Sequence, residues 1–186
     1  VCSSDLGVLL YQAILIDKSK IPAMRMIRAA AWPGKETMNC TLTVIGRDRL
    51  PEIRPLWEKL NRAHGEDSRY FKEHFASFTF EKRCEKFALP SEDSLRIETA
   101  RDGEAIVGYC ISTVDGGTGE IDSLFVEEEY RKQGLGGLLV ENSLRWMRDR
   151  GCDRIMVGVA DGHESVFPFY RRFGFYPRMT YLQWKG

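Results

Sequence analysis

A glycine-rich segment lies between a predicted strand and a predicted helix, and its residue types suit the binding of an anion. It reads Val126-Glu127-Glu128-Glu129-Tyr130-Arg131-Lys132-Gln133-Gly134-Leu135-Gly136-Gly137. Glycines at such a junction let backbone N–H groups converge without Cβ obstruction, and the helix start adds its positive dipole end. The segment therefore predicts a cradle for a pyrophosphate, with Arg131 and Lys132 adding charge at the rim. Because glycines before a helix also serve tight turns, this motif alone leaves both interpretations open.

The same segment and two others resemble the motifs of one enzyme family. After Leu124-Phe125-Val126, the pattern Arg131-x-x-Gly134-x-Gly136 is similar to the Q/R-x-x-G-x-G/A acetyl-CoA signature of the GNAT acetyltransferase superfamily. Farther along, Phe169-Tyr170-Arg171-Arg172-Phe173-Gly174-Phe175 resembles the second characteristic segment of that family. Ile106-Val107-Gly108-Tyr109 resembles the strand before its meander turn. The resemblance covers roughly residues 95–175, in the order and spacing of the family.

The resemblance implies an α/β domain with the GNAT fold, in which helices flank a mixed, mostly antiparallel central sheet. This sheet splays open beside its fourth strand, where the pantetheine arm of acetyl-CoA inserts and pairs with backbone groups, here those of Leu124 and Val126. Main-chain N–H groups would wrap the pyrophosphate. The implied cofactor-binding residues are Leu124, Phe125, Val126, Arg131, Lys132, Gln133, Gly134, Leu135, Gly136, Gly137, His163 and Ser165.

The resemblance also gives Tyr170 a catalytic part, as the proton donor to the departing CoA thiolate. A phenol with an ordinary pKa of about 10 can give a proton to a thiolate whose parent thiol has a pKa of about 8.5. The alternative is that Tyr170 only packs in the core with its hydroxyl group satisfied by a neighbour.

The attacking amine must be neutral, so the reaction needs a base or a chain of water molecules. Asp122, on the strand that enters the cofactor loop, is the predicted catalytic base. Glu120 is a second candidate, because strand alternation places both carboxylates on one face. The alternative is that each is a solvent-exposed carboxylate on a strand, with no part in catalysis. Glu164 and His163 are further candidates at the rim of the site.

One position departs from the family pattern. Seven residues before Tyr170 the family commonly has an asparagine that hydrogen-bonds the pantetheine arm, and this sequence has His163. Histidine can donate or accept one such bond, or titrate near neutral pH, so the cofactor contact is open there, with Ser165 as a substitute. Pro168 removes a backbone donor and is expected to kink the short helix that carries Tyr170.

Hydrophobic periodicity predicts the elements that position these residues. We expect strands at 41–45, 95–99, 105–114, 120–126, 153–159 and 176–184, of which the second to fourth form an antiparallel meander. We expect helices from Pro51 to about Gly65, with Asp48 as the cap, and at 68–87, 136–150 and 163–172, with Gly151 ending the third. The apolar run at 153–159 predicts burial on both faces. The aromatic residues of 68–87 are either core or a substrate-side wall.

Composition excludes several classes of function. The 186 residues include 27 Lys+Arg and 27 Asp+Glu, so the formal net charge is zero and no nucleic-acid partner is expected. No membrane contact is expected either, because no apolar run reaches the roughly 18 residues that span a bilayer. The five cysteines form no C-x-x-C pair and the three histidines show no ligand spacing. This pattern predicts free thiols, a cytoplasmic location and no metal site.

Residues 1–37 are expected to lie outside the domain. Residues 1–6, Val-Cys-Ser-Ser-Asp-Leu, resemble a translated sequencing adapter, and residues 7–37 show no clear period that ends in a turn or cap. Codons for Lys35-Glu36 can form a purine-rich ribosome-binding sequence before Met38. We therefore expect a non-native or disordered extension at 1–37 and one domain at 38–186. The alternative is a native arm that packs on the domain or on a partner.

Motifs and resemblance together predict an N-acetyltransferase that moves an acetyl group from acetyl-CoA to a primary amine by direct attack in a ternary complex. No cysteine lies within either motif, which favours direct transfer over an acyl-cysteine route. The alternative is a non-catalytic module that binds or senses acyl-CoA. The expected partner is a small-molecule or peptide amine that no motif identifies, and the family resemblance suggests a homodimer.

Overall fold

A five-stranded sheet lies at the centre of the part of the protein that the computed structural model describes, residues 40–184. Its strands lie in chain order: β1 (Thr41–Ile45), β2 (Leu95–Asp102), β3 (Ala105–Asp115), β4 (Thr118–Val126) and β5 (Arg154–Val157). The first four are antiparallel neighbours, and β5 runs parallel to β4. The expected mixed, mostly antiparallel sheet and its β2–β3–β4 meander are confirmed. The predictions for residues 1–37 lie outside the described residues.

Helices pack on both faces of this sheet. A 3₁₀ segment at Arg47–Ile53 leads into α1 (Arg54–Asp67), and α2 (Lys72–Ser77), α3 (Phe80–Ala88), α4 (Leu135–Asp149) and α5 (Phe167–Arg171) follow. Further 3₁₀ segments lie at Glu92–Ser94, Glu128–Tyr130 and Glu164–Val166. As predicted, Gly151 follows the end of α4 in the left-handed conformation, with φ of 75°. None of the helices within residues 40–184 is long and apolar enough to cross a membrane.

The start of the first helix differs from the prediction. Asp48 does not cap it, because the chain first forms the 3₁₀ segment, whose cap position is Gly46 without a side-chain hydrogen bond. Pro51 lies inside that segment, and α1 itself begins at Arg54 with a proline in its first turn. A proline is favourable there because the first N–H groups of a helix have no partner within the helix.

The predicted helix over 68–87 is wrong as one element, since α2 and α3 are separate. The side chain of Thr79 accepts a hydrogen bond from the Lys82 N–H at 3.3 Å, which caps α3 as a new helix. On α1, the Asn61 side chain donates to the carbonyls of Phe75 and Phe78 at 2.8 and 3.1 Å, at and just beyond the end of α2. These bonds satisfy carbonyls that a continuous helix would have used, so capping overrides the continuous periodicity.

Two expectations for the last strands are wrong as well. Residues 176–184 form no strand, and Tyr181, Leu182 and Trp184 are almost fully exposed. A strand needs a neighbour to satisfy its backbone groups, and within residues 40–184 this segment has none. The apolar run of β5 is not buried on both faces either: Arg154 is exposed and the rest of the strand is only partly buried.

A register shift in the β3–β4 pair changes which side chains of β4 point toward each layer of helices. Ser123 pairs with Ile111 and Ile121 with Ser112, so Asp122 is an extra residue between them. Before the shift, Ile121 packs in the hydrophobic cluster that α4 forms with the sheet. After it, Phe125 packs in the hydrophobic cluster on the other face, which α1 and α3 form with the sheet. This bulge aims successive β4 residues toward the cleft described below.

Candidate active site

A cleft opens where the last two strands separate. The pairing of β4 with β5 ends at Ile121 and Val157, yet β4 continues to Val126 with no strand on that side among the described residues. A cavity of about 410 Å³ lies at this point, between β4, the chain after β5 and helices α1, α2 and α3. We call it the acceptor cavity. Asp122, Leu124, His163 and Tyr170, four of the predicted site residues, all line it.

Tyr170 projects from α5 into this cavity. Its ring packs edge-to-face on Phe169 and Phe175, with centroids 5.0 and 5.8 Å away. Burial, and to a smaller extent the nearby Cys110, raise the pKa of the hydroxyl, so the group stays protonated at neutral pH. Pro168 lies in the first turn of α5, where no N–H bond is lost, and so the expected kink does not occur.

Asp122 has a fully buried side chain that is already engaged. Lys86 of α3 forms an ion pair with it, and Arg83 lies 3.8 Å from the same oxygen. The Thr113 hydroxyl donates to its second oxygen at 2.5 Å. Glu120 also reaches Lys86, at 3.5 Å, as expected for two carboxylates on one face. Its role as the base stays a prediction. The contacts with Lys86, Arg83 and Thr113 argue against that role, because they occupy the oxygens that would accept a proton.

The other predicted candidates, His163, Glu164 and Ser165, have different surroundings. His163 faces α1, with Nε2 3.6 Å from Asp67 Oδ2. Glu164 is exposed and accepts a hydrogen bond from Arg69 at 2.8 Å. Ser165 is exposed on the 3₁₀ segment and does not line the cavity. Of the three, His163 alone lies on the cavity wall.

The glycine-rich segment has the backbone geometry of an anion cradle. Gly134 occupies the N-cap position of α4 with φ of 90°, a left-handed conformation that favours glycine. Among residues 40–184, Lys132 is the only non-glycine residue in the left-handed region, with φ of 60°. The first N–H groups of α4, those of Leu135, Gly136 and Gly137, have no partner within the helix and bring its positive dipole end to the loop. These groups fit a pyrophosphate.

Side chains of the segment brace it rather than project freely. Arg131 Nε donates to the Val126 carbonyl at 2.9 Å, and its guanidinium lies 5.5 Å from the Phe125 ring centroid. Gln133 Nε2 donates to the Glu129 carbonyl at 2.6 Å. The Val126 carbonyl, expected to bind the pantetheine arm, therefore already accepts one bond, and its second lone pair remains for another donor.

The two sequence motifs meet in space. A Cβ atom at Gly136 would lie 3.6 Å from the Phe169 ring, and one at Gly137 would lie 3.5 Å from the Phe173 ring. The start of α4 therefore packs directly on α5, which carries Tyr170. This contact holds the glycine-rich segment next to the helix that carries Tyr170.

Sequence reasoning missed the residues that α1 and α2 supply. Trp57, His64, Phe75 and Phe78 line the acceptor cavity. Of the aromatic residues of 68–87, Phe80 and Phe87 are buried in the core and Phe75 and Phe78 lie on the cavity wall, so each interpretation holds for part of the stretch. Burial lowers the pKa of His64 to about 4, and nearby His163 and Arg83 act in the same direction. A signal existed: Trp57 and His64 are seven residues apart on the predicted helix and so share one face.

The sequence model of the acetyltransferase (GNAT) family matches residues 54–175, more than half of the chain. N-alpha-acetyltransferase 30 of Schizosaccharomyces pombe is 35% identical over 81 residues, which cover 41% of this chain and 54% of that protein. Thialysine N-epsilon-acetyltransferase of Bos taurus is 27% identical over 77 residues, 39% of this chain and 45% of that protein. The chain thus spans about half the length of the curated relatives it matches.

A solved structure has the same fold. The PaiA N-acetyltransferase of Thermoplasma acidophilum, in complex with coenzyme A, aligns with a TM-score of 0.62 at 17% identity, covering 77% of this chain and 93% of that one. At this identity the likeness concerns the fold. It confirms the predicted architecture independently of the motifs.

Proposed function

Since the chain belongs to the acetyltransferase (GNAT) family, we propose that it transfers an acetyl group from acetyl-CoA to a primary amine, by direct attack in a ternary complex. One observation carries the proposal: the start of α4, with its anion cradle, packs on α5, which carries Tyr170, next to the strand edge that β5 leaves open. That arrangement suits a long anionic thioester with its acetyl end in the acceptor cavity.

The residues of this chain suit two parts of acetyl-CoA, the pyrophosphate and the pantetheine arm. The unpaired N–H groups at the start of α4 suit the pyrophosphate. Beyond the last β4–β5 pair, the outer edge of β4 pairs with no strand among the described residues, which leaves hydrogen-bonding capacity there, at Leu124 above all, for an amide-bearing arm. The Asp122 and Val126 carbonyls at its two ends each already accept one bond, from Arg83 and Arg131. The thioester supplies an electrophilic carbonyl carbon and a thiolate leaving group.

Tyr170 acts as the general acid in this mechanism. The acceptor nitrogen attacks the carbonyl carbon, the C–N bond forms and the C–S bond breaks. Tyr170 donates its hydroxyl proton to the departing sulfur as the C–S bond breaks and negative charge develops there. Burial raises the pKa of the phenol, which keeps the proton on the hydroxyl until that charge develops. The absence of a described hydrogen-bond partner for this hydroxyl within residues 40–184 leaves the proton free to move.

Cysteine geometry supports direct attack over an acyl-enzyme. None of the described cysteines lines the acceptor cavity. Cys110 is buried, and burial raises the pKa of its thiol to about 11, so almost no thiolate is present at neutral pH. A buried, protonated thiol is a poor nucleophile.

The walls of the cavity support an acceptor with an apolar or aromatic body. Trp57 and Phe78 pack together with ring centroids 5.9 Å apart, and Phe75 completes this side. Aromatic faces bury apolar surface and also attract cations. The two curated relatives are named for N-alpha-acetylation and for N-epsilon-acetylation of thialysine, so an α-amine and thialysine are the first acceptors to test. A cytoplasmic location and a homodimer stay predictions.

The test is release of free CoA from acetyl-CoA by the full chain, with three acceptors in parallel: a peptide with a free N-terminus, thialysine and phenethylamine. We expect at least one of them to give release that saturates with acceptor concentration. Tight binding of acetyl-CoA with no release by any amine would contradict the proposal and favour a non-catalytic acyl-CoA-binding module.

A further inference from the structure

His64 lies near the end of α1, on the wall of the acceptor cavity. Its Nδ1 is buried and has no hydrogen-bond partner within residues 40–184. The ring packs edge-to-face on His163, with 4.5 Å between the centroids. A buried polar atom without a partner costs stability, so its presence at a cavity points to a functional constraint. Because Nδ1 is enclosed, Nε2 is the nitrogen left to meet a ligand.

Two further residues connect His64 to the protein surface. His163 Nε2 is also buried without a hydrogen bond, and lies 3.6 Å from Asp67 Oδ2. Asp67, the last residue of α1, is largely exposed. The three side chains therefore lead from the cavity wall to solvent, and the Asp67 carboxylate at the outer end favours a proton on the His64 imidazole.

We propose that His64 is the catalytic residue that accepts the proton lost by the acceptor amine, with His163 and Asp67 as its positioning residues. The role rests on the proposed function. As the C–N bond forms, the nitrogen proton passes to His64 Nε2; as the C–S bond breaks, Tyr170 protonates the sulfur. Solvent then carries the proton from the His64 imidazolium to the Tyr170 phenolate, so the enzyme returns to its starting state and one amide and one thiol are formed.

The charges around the cavity favour His64 over the carboxylate first expected. Asp122 lines the same cavity, but Lys86, Arg83 and Thr113 engage its oxygens. Within residues 40–184, His64 has no hydrogen bond or ion pair of this kind, and its neutral form keeps a free lone pair at neutral pH.

The groups that face His64 keep it neutral but leave it able to react. Burial lowers the pKa of His64 to about 4; His163 and Arg83 lower it too, whereas Asp67 raises it. His74 and Tyr170 line the same cavity. A weak base suffices, because a nitrogen that has just bonded to the carbonyl carbon carries a positive charge and is strongly acidic.

The experiment compares His64→Gln and His64→Ala with the wild-type chain, using the amine from the three-acceptor panel that gives the fastest CoA release. We expect kcat to fall about 100-fold or more in both variants, within the range for loss of a general base. We expect the KM for acetyl-CoA to change less than about twofold, because His64 does not contact the cradle. If His64→Ala destabilises the fold, His64→Gln still gives the test, because glutamine is similar to histidine in length and polarity.

Two readouts separate a base from a structural residue. Added imidazole restores part of the rate of His64→Ala, with enzyme-free release subtracted, and restores nothing to His74→Ala, the matched histidine on the same cavity wall. The rate of His64→Gln keeps rising with pH where the wild type has levelled off, because hydroxide must take over the proton. For the positioning residues, Asp67→Asn lowers kcat about threefold to tenfold, whereas Glu66→Gln, an isosteric control one residue away, does not.

The inference is overturned if the wild type releases CoA and His64→Gln keeps more than about half of kcat. It is also overturned if His64→Gln loses activity with an unchanged pH profile and His64→Ala gives no response to imidazole, since that pattern indicates packing alone. A wild type that is inactive with every amine contradicts the proposed function itself, which is a different result from either of these.

Discussion

The two sides of the cleft are built by different means. On the cofactor side, residues 124–137 and the start of α4 present mostly backbone groups, and their side chains brace the loop. On the acceptor side, helices α1, α2 and α3 and the chain after β5 present side chains, among them His64 and His163, whose buried nitrogens have no hydrogen-bond partner within residues 40–184. A fixed ligand can be held by main-chain N–H groups, whereas a particular acceptor must be recognised by particular side chains. Substitutions should therefore act differently on the two sides.

The largest effect is expected at the point where the two sides meet. Tyr170→Phe removes the proton donor and preserves the ring, so kcat should fall by about 10² to 10³ while acetyl-CoA binds as before. Thiol release measures the first quantity and calorimetry the second. Phe175→Leu, which alters a ring packed on Tyr170, controls for packing. An unchanged kcat for Tyr170→Phe would remove the tyrosine from the mechanism.

A negative charge placed in the cradle should affect the cofactor side of the cleft and not the acceptor side. Gly136→Asp adds a carboxylate at the start of α4, where a pyrophosphate would bind, and should raise the Kd for acetyl-CoA about 30-fold by like-charge repulsion. Leu138→Asp adds the same charge on an exposed position of the same helix and should have a much smaller effect. Equal effects of the two substitutions would indicate that the start of α4 does not contact the phosphates.

The difference in acid stability between His64→Gln and the wild type should report on the acceptor side. His64 has a lowered pKa in the folded state, about 4 against 6.5 for the free group. The unfolded chain then binds more protons below pH 6.5, so folding stability is complete above that pH and is lost as the pH falls toward 4. His64→Gln should retain about 1–2 kcal/mol more of its unfolding free energy over this interval, allowing for partial solvent screening. Urea unfolding at each pH gives the two free energies of unfolding. If both fall by the same amount between pH 6.5 and 4, His64 is not the origin of the loss.

The smallest effect is expected at the aromatic wall. Phe75→Leu leaves an apolar wall but removes a ring face, so the KM for phenethylamine should rise about fivefold and the Kd for acetyl-CoA should not change. Steady-state kinetics and calorimetry give both numbers. This result is the reverse of that for Gly136→Asp. A substitution that altered both constants together would show that the two sides are not independent.

The contrast also explains what the sequence could predict. The meander, the α4 cradle and Tyr170 follow from glycine positions, alternation and a motif with fixed spacing, and these are local features. Local rules failed where other parts of the molecule decide the conformation. Thr79 starts a new helix within a continuous aromatic pattern, and the segment 176–184 has strand-like residues but no neighbouring strand among the described residues.

The acceptor side was the least predictable because its residues are far apart in the chain. His64 of α1 meets His163 only after β5 returns to the sheet, and Asp122 meets Lys86 only when α3 packs on β4. No spacing rule connects such pairs. Their protonation and charge follow from burial and contacts, which exist only in the folded protein.

The most direct measurement follows both products of one reaction by mass spectrometry, with the full chain, acetyl-CoA and the best acceptor amine. We expect one acetylated amine for each free CoA, and no acetyl group on the protein when the amine is omitted. An acetylated protein that forms before the amine is added would contradict direct attack. Bound acetyl-CoA that yields neither product would contradict acetyl transfer itself.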